Sequence, residues 1–550
     1  MKDQVIVIGS GLTGLSATIT LAEAGKKVIL ISGLKAERTQ SVMAEGGINA
    51  AMNTKNEMDS TEQHFADTLA GGCDLANPDA VRNLVESAPH IVNWLADLGV
   101  VFNRDENGNL DLRNFGGQKK KRTAFARSGT GKQIVTALIQ EVRKYEAKGL
   151  VEVYHQHSFV SLIQNPNGAC VGCIVMDNYT NELSSFTSEA LIVASGGFHG
   201  IFGRTTGSVR NYGAVTAELF RLGVPIANAE FIQYHPTTGN NCGKRMLITE
   251  ATRGEGGRLF VFKENGEKRY FMEEKYPELG NLMPRDVVAR NIWQFNNHPK
   301  GRQEVYLDLT HLPDHVLENK LSDTVEDCKQ YFRLDPKTDY IPVEPGLHYF
   351  MGGILVDKHH RTAMKNLYAA GESCCQYHGA NRLGGNSLLG AIHGGITAAK
   401  SVIADEHELG TAEDVKKRIT EIEAEIALHK QAKRTAPMPM MLIELSLAMY
   451  ASLGVIRSKE RMENGIAALN QLLEEKVAGN YDPTSGLYDS FMLERRVIFG
   501  RSVIESALNR EESRGAHYRV DFPERDDNHY QKNSVMRFVD GKTIITLEEI

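Results

Sequence analysis

The chain opens with a short apolar strand that runs directly into a glycine-rich turn, and this start constrains the fold more than any other feature. Residues 5–8, Val-Ile-Val-Ile, are wholly apolar, which is typical of a parallel strand covered on both faces. In the turn that follows, Gly9 permits the tight bend, Gly11 lets the main chain approach a pyrophosphate, and Gly14 lets the next helix pack against the strand. The start therefore predicts a Rossmann-like nucleotide site with the phosphates at a helix N-terminus.

Three further apolar runs fit the same parallel sheet. Residues 28–31 form the predicted second strand, although Ser32 stands where an acidic residue usually holds a ribose hydroxyl. Residues 191–197 and 367–372 are apolar runs that lead into glycine. If all of them belong to one sheet, residues 226–341 form an inserted domain, and a cleft between two domains is the usual place for a ligand.

The predicted insert carries the strongest polar signal. Glu250 and Arg253 are spaced one helical turn apart beside a glycine-rich bend, a grouping that predicts chemistry on a small anion. Taken alone, a helical arginine is more often half of a surface ion pair, and a buried histidine is more often an ordinary core residue. Four more candidates in short motifs favour a functional site: His235, Arg285, His348 and Arg382.

These motifs resemble the flavoprotein subunits of succinate dehydrogenase and fumarate reductase, together with the related L-aspartate oxidases. The resemblance covers nearly the whole chain, through residues 9–14, 44–47, 115–117, 233–237, 249–257, 284–286, 348–353, 379–388, 512–517 and 521–527. It implies an α/β fold: a Rossmann-like FAD-binding domain with an inserted α+β capping domain, followed by a C-terminal helical domain. The implied bounds are 1–225 and 342–405 for the FAD-binding domain, 226–341 for the capping (substrate) domain, 406–515 for the helical domain and 516–550 for a C-terminal extension.

The resemblance also implies FAD as the cofactor. Glu372 would contact its ribityl chain, and Ser387 with Leu388 would lie near the isoalloxazine ring. The full set of implied FAD-binding residues is Gly9, Gly11, Leu12, Thr13, Gly14, Ser32, Ser41, Glu45, Gly46, Gly47, Gly371, Glu372, Ser387 and Leu388.

The implied reaction is the FAD-dependent reduction of fumarate to succinate, reversible in principle as a succinate dehydrogenase. In the family, hydride leaves flavin N5 while the residue at Arg285 delivers the proton, with Glu250 and Arg253 as a relay to solvent. Nothing in the sequence alone selects Arg285 over Arg253 as the acid. A dicarboxylate loses its hydration on binding, so cations and donors must replace the water, and a planar guanidinium suits this task. The implied carboxylate-binding residues are His235, Thr249, His348 and Arg382.

Three departures from the family pattern affect the prediction. Gln40 stands where most complex II flavoproteins carry a histidine bonded covalently to the flavin, so we predict noncovalent FAD and a preference for fumarate reduction. The usual Gly-Asp-Gly before the insert reads Asn-Tyr-Gly at residues 211–213, which removes a carboxylate near the cofactor. Phe350 replaces a threonine and is predicted to reshape the wall of the cleft.

Two alternative functions stay open beside fumarate reduction. An L-aspartate oxidase shares the fold and most site residues, but it has a carboxylate that suits an amino group where this chain has Phe115. An apolar ring at that position leaves an ammonium group unpaired, which disfavours aspartate. A flavin electron carrier without substrate chemistry is the other alternative, and it would not need the complete arginine set.

The cysteines predict neither a metal site nor an iron–sulfur cluster. Seven cysteines occur without a recognisable pattern, which together with the lack of a secretory leader is typical of the reducing cytoplasm. Cys170 and Cys173 have CxxC spacing, but an odd offset in a predicted strand sends the two side chains to opposite faces. The role of the adjacent pair Cys374 and Cys375, near His378, stays open.

Electrons are therefore predicted to arrive from a separate partner. The resemblance implies an iron–sulfur subunit, and the donor behind it stays open between a quinol, a thiol and a soluble carrier. A net charge of −7 indicates no nucleic-acid role, and residues 119–122, Lys-Lys-Lys-Arg, are predicted to form a solvated loop. No apolar stretch approaches the roughly 20 residues of a membrane span, so we predict a cytoplasmic protein that other subunits could hold at the inner membrane.

The region after residue 405 has a helical pattern. Thr411 and Asp414 are spaced as a capping box, and apolar residues then repeat at helical intervals from Val415 to Ile426. The final residues, 516–550, are predicted to be an extension with one short strand.

Overall fold

The computed structural model describes residues 4–127, 129–241, 244–432, 436–477, 480–482 and 486–550. Cys242 lies outside the described residues. The strands, in chain order, are β1 Gln4–Ile8, β2 Lys27–Ser32, β3 Ile48–Asn49, β4 Leu112–Arg113, β5 Thr123–Ala124, β6 Val151–His155, β7 His157–Gln164, β8 Cys170–Asp177, β9 Leu183–Thr187, β10 Ala190–Val193, β11 Ile226–Ala227, β12 Ile232–Asn241, β13 Lys244–Leu247, β14 Arg258–Phe262, β15 Lys268–Arg269, β16 Val305–Asp308, β17 Ile341–Phe350, β18 Gly353–Leu355, β19 Leu367–Ala369, β20 Cys374–Cys375, β21 Asn533–Val539 and β22 Lys542–Glu548.

The α-helices alternate with these strands in the first two thirds of the chain and dominate after residue 385. They are α1 Leu12–Glu23, α2 Thr61–Gly71, α3 Pro78–Asp97, α4 Thr130–Ala147, α5 Ala214–Arg221, α6 Ala251–Gly254, α7 Phe271–Lys275, α8 Arg285–Asn296, α9 Ser322–Asp327, α10 Asn386–Ala404, α11 Ala412–Gln431, α12 Met438–Ser452, α13 Lys459–Leu472, α14 Leu487–Phe491, α15 Leu493–Asn509 and α16 Asp527–Tyr530.

A parallel sheet of five strands, in the order β19-β10-β1-β2-β6, carries the nucleotide fingerprint. Strand β1 pairs with β10 on one side and β2 on the other, and β10 pairs with β19. Val5 and Val7 belong to one core cluster, whereas Ile6 and Ile8 belong to another, because successive side chains point to opposite faces. Both faces of β1 are thus buried. The predicted common sheet is confirmed, including the strands that begin near residues 191 and 367.

The inserted segment folds around a mainly antiparallel sheet of six strands, in the order β13-β12-β17-β16-β14-β15. Helix α8 packs against β12 and β17. The predicted boundary between residues 341 and 342 falls at the first residue of β17, and β17 pairs with both β12 and β16. The hydrogen bonds of this sheet therefore continue to Phe350, beyond that boundary.

The C-terminal helices follow the predicted pattern, but the end of the chain does not. The Thr411 side chain accepts a hydrogen bond from the Asp414 amide and the Asp414 carboxylate accepts one in return, so the predicted capping box is confirmed. Residues 516–550 contain a hairpin of two strands, not one short strand, and β21 pairs with β11 through Ile226 and Met536. The partner strand lies far away in the chain, so no local pattern could indicate this pairing.

The expectation that Cys170 and Cys173 point to opposite faces of the strand is wrong. In β8, Cys170 pairs with Gln164 and Gly172 pairs with Ile163, so Val171 is the extra residue of a β-bulge. The bulge shifts the alternation by one residue, and both Cys170 and Cys173 contribute to the same core cluster. Burial raises the pKa of the Cys170 thiol to about 12 and raises that of Cys173 as well. Both are free thiols without reactive character.

The basic run at residues 119–122 is also only partly a solvated loop. The side chain of Arg122 is fully buried and its Nη2 lies 2.8 Å from carboxylate oxygens of both Asp59 and Asp67. Two buried carboxylates pair with this guanidinium, and neither is adjacent in sequence. The lysines of the run are at least partly exposed.

Among the described residues, helix α10 has the length and the apolar composition of a membrane span, so the expectation that no stretch approaches that length is wrong. The helix is 19 residues long, and 61% of its most apolar 18-residue stretch is buried inside the protein. It packs against α1 and α3 at the parallel sheet. Its apolar composition is therefore accounted for by the core of the FAD-binding domain.

Candidate active site

A single large cavity joins the nucleotide loop to the polar residues of the insert. Its volume is about 1420 Å³, and it is lined both by residues 9–13 and by the insert residues His235, Glu250 and Arg285. All but three of the predicted site residues line it; the three are Gly14, Gly371 and Arg253. The two sites that the sequence predicts separately are thus one continuous space.

The glycines of the loop are required by close backbone approaches. Gly9 has a φ of 112°, and a Cβ there would lie 2.2 Å from the Ala194 carbonyl oxygen. A Cβ on Gly14 would lie 1.8 Å from the Gly9 carbonyl oxygen, so only glycine fits at this position. Gly14 itself lies behind the residues that line the cavity. Gly371 has a φ of 69° and packs in the same way against Thr13. The N-terminus of α1 is held open toward the cavity, so this loop fits the pyrophosphate of a dinucleotide.

The remaining predicted cofactor residues surround the same space. The Leu12 amide donates to the Ser41 hydroxyl at 3.2 Å, and the Ser10 hydroxyl donates to the Ser32 hydroxyl at 2.9 Å. Burial raises the pKa of Glu45 well above its usual value, and the nearby carboxylates of Asp327 and Asp323 raise it further. Gly46, Gly47, Ser387 and Leu388 complete the lining. The residues present therefore fit FAD.

Glu250 is the centre of the charged group in the insert. Its Oε2 accepts from Arg285 Nε at 2.8 Å and from Arg285 Nη2 at 2.5 Å, and its Oε1 accepts from Arg253 Nη2 at 3.0 Å. Burial alone would raise the Glu250 pKa, but the guanidiniums of Arg285 and Arg253 outweigh burial and hold the pKa at about 2. Glu250 is therefore ionised in the resting site, where it bridges two arginines.

Arg253 lies behind Glu250, away from the cavity. Its Nη1 donates to the Asn281 carbonyl oxygen at 2.6 Å, and the residue is 2% exposed. Burial lowers the pKa of the Arg253 guanidinium. The chain Arg285–Glu250–Arg253 is thus continuous, but its last described member is buried and does not itself reach the surface.

Gln233 joins Arg285 to Arg382, and it was not among the predicted site residues. Its Oε1 accepts from Arg382 Nη2 at 2.9 Å and from Arg285 Nη1 at 3.1 Å. Its Nε2 donates to Asn381 Oδ1 and to the Arg382 carbonyl oxygen, both at 2.8 Å, and these two acceptors fix the orientation of the amide. One sequence signal could have found it, since Gln233 and His235 are two residues apart on the same strand.

Arg382 keeps unused hydrogen-bonding capacity. Burial, followed by the charge of Arg285, lowers the Arg382 pKa to about 9. Its Nε is buried and has no hydrogen-bond partner within the part of the chain that the structure describes. A buried donor without a partner is costly, so this nitrogen is suited to an anionic ligand.

The two predicted histidines face each other, with ring centroids 5.1 Å apart. Burial, and then neighbouring charges, lower the pKa of both well below the usual value, so each is neutral at neutral pH. His235 Nδ1 lies 3.0 Å from the Thr237 carbonyl oxygen and 3.3 Å from the Thr237 amide nitrogen, so the Thr237 backbone holds this side of the ring. Protonation of the neutral ring would make both of its nitrogens hydrogen-bond donors, which a bound carboxylate favours.

An apolar wall and a hydroxyl complete the insert side of the cavity. Thr249 is buried just before α6 and lines the cavity. The Phe115 ring is 1% exposed and packs so closely on Gly46 and Gly384 that a Cβ on either glycine would lie within 3.2 Å of it. Three guanidiniums and one carboxylate, with neutral histidines, give this group a formal charge of 3 − 1 = +2. Such a charge matches a small dianion.

Two of the departures from the family pattern can be compared with the cavity. Residues 211–213 line it, as predicted. Phe350 does not: it packs on Phe198 with ring centroids 3.8 Å apart, and only its amide reaches the site, by donating to Glu372 Oε1 at 3.1 Å. Phe350 thus supports Glu372 from the core and is not part of the cavity wall.

The thiol group near His378 forms no metal site. Among the described residues, no cluster of His, Cys, Asp and Glu could hold a metal ion. Burial raises the pKa of the Cys375 thiol to about 12 and raises that of Cys374 as well. Neither thiol is activated.

Comparison with known proteins gives consistent matches over the whole chain. The family described as "FAD binding domain" matches residues 4–388, and "Fumarate reductase flavoprotein C-term" matches residues 443–549. The chain is 38% identical to the succinate dehydrogenase flavoprotein subunit of Bacillus subtilis, over 98% of this chain and 94% of that protein. It is 35% identical to one of the subunits of the fumarate reductase (CoM/CoB) of Methanothermobacter marburgensis, over 94% of each chain. A solved E. coli quinol fumarate reductase FrdA chain superposes with a TM-score of 0.91 and 30% identity, covering 100% of this chain and 97% of that one.

Proposed function

The chain belongs to the family of succinate dehydrogenase and fumarate reductase flavoprotein subunits, a family of FAD-dependent oxidoreductases, and on that premise we propose that it reduces fumarate to succinate. The observation that carries this proposal is the convergence of Arg285 and Arg382 on one oxygen of Gln233, because both arginines line the cavity that also contains the nucleotide loop. A dianion with two carboxylates fits a group with a formal charge of +2. When bound, reduced FAD would supply the electron pair.

Substrate binding is assigned to four residues around this point. Arg382 offers its planar guanidinium, including the Nε without a partner among the described residues, to one carboxylate. His235, His348 and Thr249 surround the other carboxylate, and the histidines take up a proton as the negative charge arrives. The cap residues exclude water, so each charge-assisted hydrogen bond is stronger than it would be in solution.

Proton delivery is assigned to Arg285. Its Nε and Nη2 are held by Glu250, which fixes the guanidinium at the cavity wall while further N–H groups stay available. Arginine is an unusual acid, so the proton that leaves Arg285 must be replaced at once. Glu250 contacts both guanidiniums and passes a proton from Arg253 to Arg285, and the lowered pKa of Arg253 favours this transfer. Arg253 then regains a proton from solvent, which is the final source of the proton that the substrate receives.

The environment that Phe115 offers to an amino group separates this proposal from an L-aspartate oxidase. Phe115 presents an apolar ring and offers no acceptor to an ammonium group, which disfavours aspartate by about 2–3 kcal/mol.

The test adds fumarate to the purified protein with reduced viologen, and separately adds aspartate under air. Fumarate-dependent dye oxidation without aspartate-dependent peroxide supports the proposal. Peroxide from aspartate would assign the protein to the oxidases, and no turnover of either would favour an electron carrier.

The attachment of FAD is a separate proposal. Gln40 occupies the position of the family's flavin-bonding histidine, and an amide nitrogen cannot form that bond. We propose noncovalent FAD, a lower flavin potential and therefore a preference for fumarate reduction over succinate oxidation. Acid precipitation tests it directly: yellow supernatant and colourless protein are expected, and yellow protein would contradict it.

Relatives of this chain work as parts of multi-subunit complexes, which supports partner subunits here. We propose that electrons arrive through an iron–sulfur subunit, and that such partners hold the protein at the cytoplasmic face of the inner membrane. We further propose the domain division 1–225 and 342–405 for FAD, 226–341 for the cap, 406–515 for the helices and 516–550 for the extension. Co-purification of a second chain with iron and acid-labile sulfide would test the partner.

A further inference from the structure

Tyr349 is an aromatic residue of the candidate site to which neither substrate binding nor proton delivery is assigned. It follows His348 on β17, lines the cavity and is 7% exposed. Its ring lies against the guanidinium of Arg382, with 4.3 Å between Arg382 Cζ and the ring centroid. A guanidinium on the face of an aromatic ring forms a cation–π contact. Tyr349 therefore supports the arginine that is assigned to a substrate carboxylate.

The antiparallel sheet of the insert places Tyr349 opposite Gln233. The two residues are paired across β12 and β17, so their side chains emerge from the same face of the sheet. Both side chains meet Arg382: Gln233 Oε1 accepts from Nη2 at 2.9 Å, and the Tyr349 ring covers the flat face. All N–H bonds of a guanidinium lie in its plane, so the amide restrains rotation within that plane and the ring restrains its tilt.

Arg382 and Arg285 are held in different ways. Glu250 accepts two hydrogen bonds from Arg285, so a carboxylate fixes that guanidinium and offsets its charge. Among the described residues, the hydrogen bonds of Arg382 go to neutral groups, the Gln233 amide and the Leu383 carbonyl oxygen. An amide and an aromatic ring orient a cation without neutralising it. Arg382 therefore keeps its charge available to an anionic ligand.

The Tyr349 ring is itself fixed by the packing behind it. The His378 ring meets it edge-on, with the centroids 5.4 Å apart and the planes at 79°. His378 packs on helix α10, since a Cβ on Gly390 would lie 3.3 Å from its Nε2. Tyr349 also belongs to a small buried cluster with Phe231 and Met351. Side chains from separate segments of the chain thus hold the ring in one orientation.

From this geometry we propose that Tyr349 is a positioning residue, which sets the plane of the Arg382 guanidinium for a substrate carboxylate without reducing its charge. This role rests on the proposed binding of a dicarboxylate by Arg382. A guanidinium makes two parallel hydrogen bonds to a carboxylate only when the two planar groups are aligned. A ring that fixes the plane before the ligand arrives lowers the cost of ordering a long side chain on binding. The ring, and not the phenol hydroxyl, supplies this restraint.

The first measurement is calorimetric titration of the FAD-loaded protein with succinate. Tyr349→Leu removes the ring and leaves the net charge unchanged, so a change in affinity reports orientation and not charge. We expect its dissociation constant to rise by about tenfold, the size of a desolvated cation–π contact. Tyr349→Phe keeps the ring and should stay within about twofold of the wild type. The control Tyr450→Leu removes a half-buried tyrosine ring that does not line the cavity, and it should stay within the same range.

Two results of this titration would overturn the proposal. One is a dissociation constant of Tyr349→Leu within about twofold of the wild type. The other is an equal loss of affinity in Tyr349→Phe, because the hydroxyl would then be the group that matters. If Tyr349→Leu does not retain FAD, Tyr349→Met takes its place under the same criteria, since methionine fills an irregular apolar space without a ring.

The second measurement needs no substrate. Phenylglyoxal modifies guanidinium groups, and peptide mass spectrometry gives the rate at each arginine. Removal of the ring uncovers one face of Arg382, so its modification should be at least about threefold faster in Tyr349→Leu than in the wild type and Tyr349→Phe. Arg104 is exposed and serves as the internal reference, with one rate in all three proteins.

The two measurements separate this role from the proposed reaction. Equal rates at Arg382 in the wild type, Tyr349→Leu and Tyr349→Phe would contradict the positioning role even if succinate binds. A wild type that binds no succinate would refute the proposed function, and the modification rates would still decide whether Tyr349 holds Arg382.

Discussion

Replacing Gln233 with glutamate should separate the binding of a dianion from the stability of the protein. The wild-type amide oxygen lies 2.9 Å from Arg382 Nη2 and 3.1 Å from Arg285 Nη1, and it is neutral. A carboxylate at this place would pair with both guanidiniums, so the formal charge of the group falls from 3 − 1 = +2 to 3 − 2 = +1. The free protein should keep its fold, because the new charge has two cations within hydrogen-bond distance.

The cost to the ligand follows from Coulomb's law. A substrate carboxylate at roughly 6 Å from the new charge loses about 3 kcal/mol at an effective dielectric constant of ~20. Since 1.4 kcal/mol corresponds to a factor of ten, the dissociation constant of a dicarboxylate should rise by about 100-fold or more. The change acts on the site before any chemistry, so binding and kcat/KM should fall together.

Calorimetric titration with succinate, in the absence of an electron acceptor, measures this constant directly. Gln133→Glu is the matched control, because Gln133 is exposed on α4 and its replacement adds the same charge at a residue that does not line the cavity. FAD content and urea unfolding of both variants should stay close to the wild type. If Gln233→Glu bound succinate within threefold of the control, the dianion would not lie between these two arginines.

Three further predictions concern the same group. Arg285→Lys should reduce fumarate turnover by at least ~1000-fold while FAD stays bound, because a lysine cannot keep the two-nitrogen contact with Glu250 and deliver a proton; turnover near the wild-type level would dismiss Arg285 as the acid. Glu250→Gln should destabilise the fold at neutral pH by about 3 kcal/mol, since the folded pKa of about 2 lies well below the ordinary 4.5 and lowering a pKa by one corresponds to about 1.4 kcal/mol. A carboxylate with a lowered folded pKa stabilises the fold above its unfolded pKa, and this contribution is lost as the pH falls from 4.5 toward 2. The free energy of unfolding of the variant, measured in urea, should therefore depend less on pH over that window. A variant that loses stability in acid as steeply as the wild type would contradict the pairing. Dicarboxylate affinity should fall as the pH rises, because burial keeps His235 neutral in the free protein and a bound carboxylate raises the pKa of its ring. His235→Asn should flatten the dependence of the calorimetric dissociation constant on pH. A wild-type affinity that does not change with pH would show that no histidine takes up a proton.

The nucleotide part of the site could be predicted because its signals are local. The apolar run that buries both faces of β1, the turn at Gly9 and the helix that follows lie within the first 23 residues. The requirement for Gly14 is also local, because its closest contact is the Gly9 carbonyl oxygen. Strand, turn and helix are each specified by residues next to one another.

The prediction failed where a partner lies far away in the chain. The bulge at Val171 reversed the faces expected for Cys170 and Cys173, because the register of a strand depends on its neighbour. Arg122 was expected in solvent, but it is buried and forms ion pairs with Asp59 and Asp67. The terminal hairpin pairs with β11. None of these partners leaves a periodic signal in the sequence.

The sequence by itself determined the residue types available for the chemistry: a glycine loop that admits a pyrophosphate, and arginines, histidines and a glutamate in short motifs. Only the tertiary structure decided that Glu250 takes Arg285 on one oxygen and Arg253 on the other, that Gln233 joins Arg285 to Arg382, and that the Tyr349 ring covers Arg382. The physical reason is that backbone preferences depend on neighbouring residues, whereas the pKa and the hydrogen bonds of a buried polar group depend on whichever distant side chains the fold brings within about 3 Å of it.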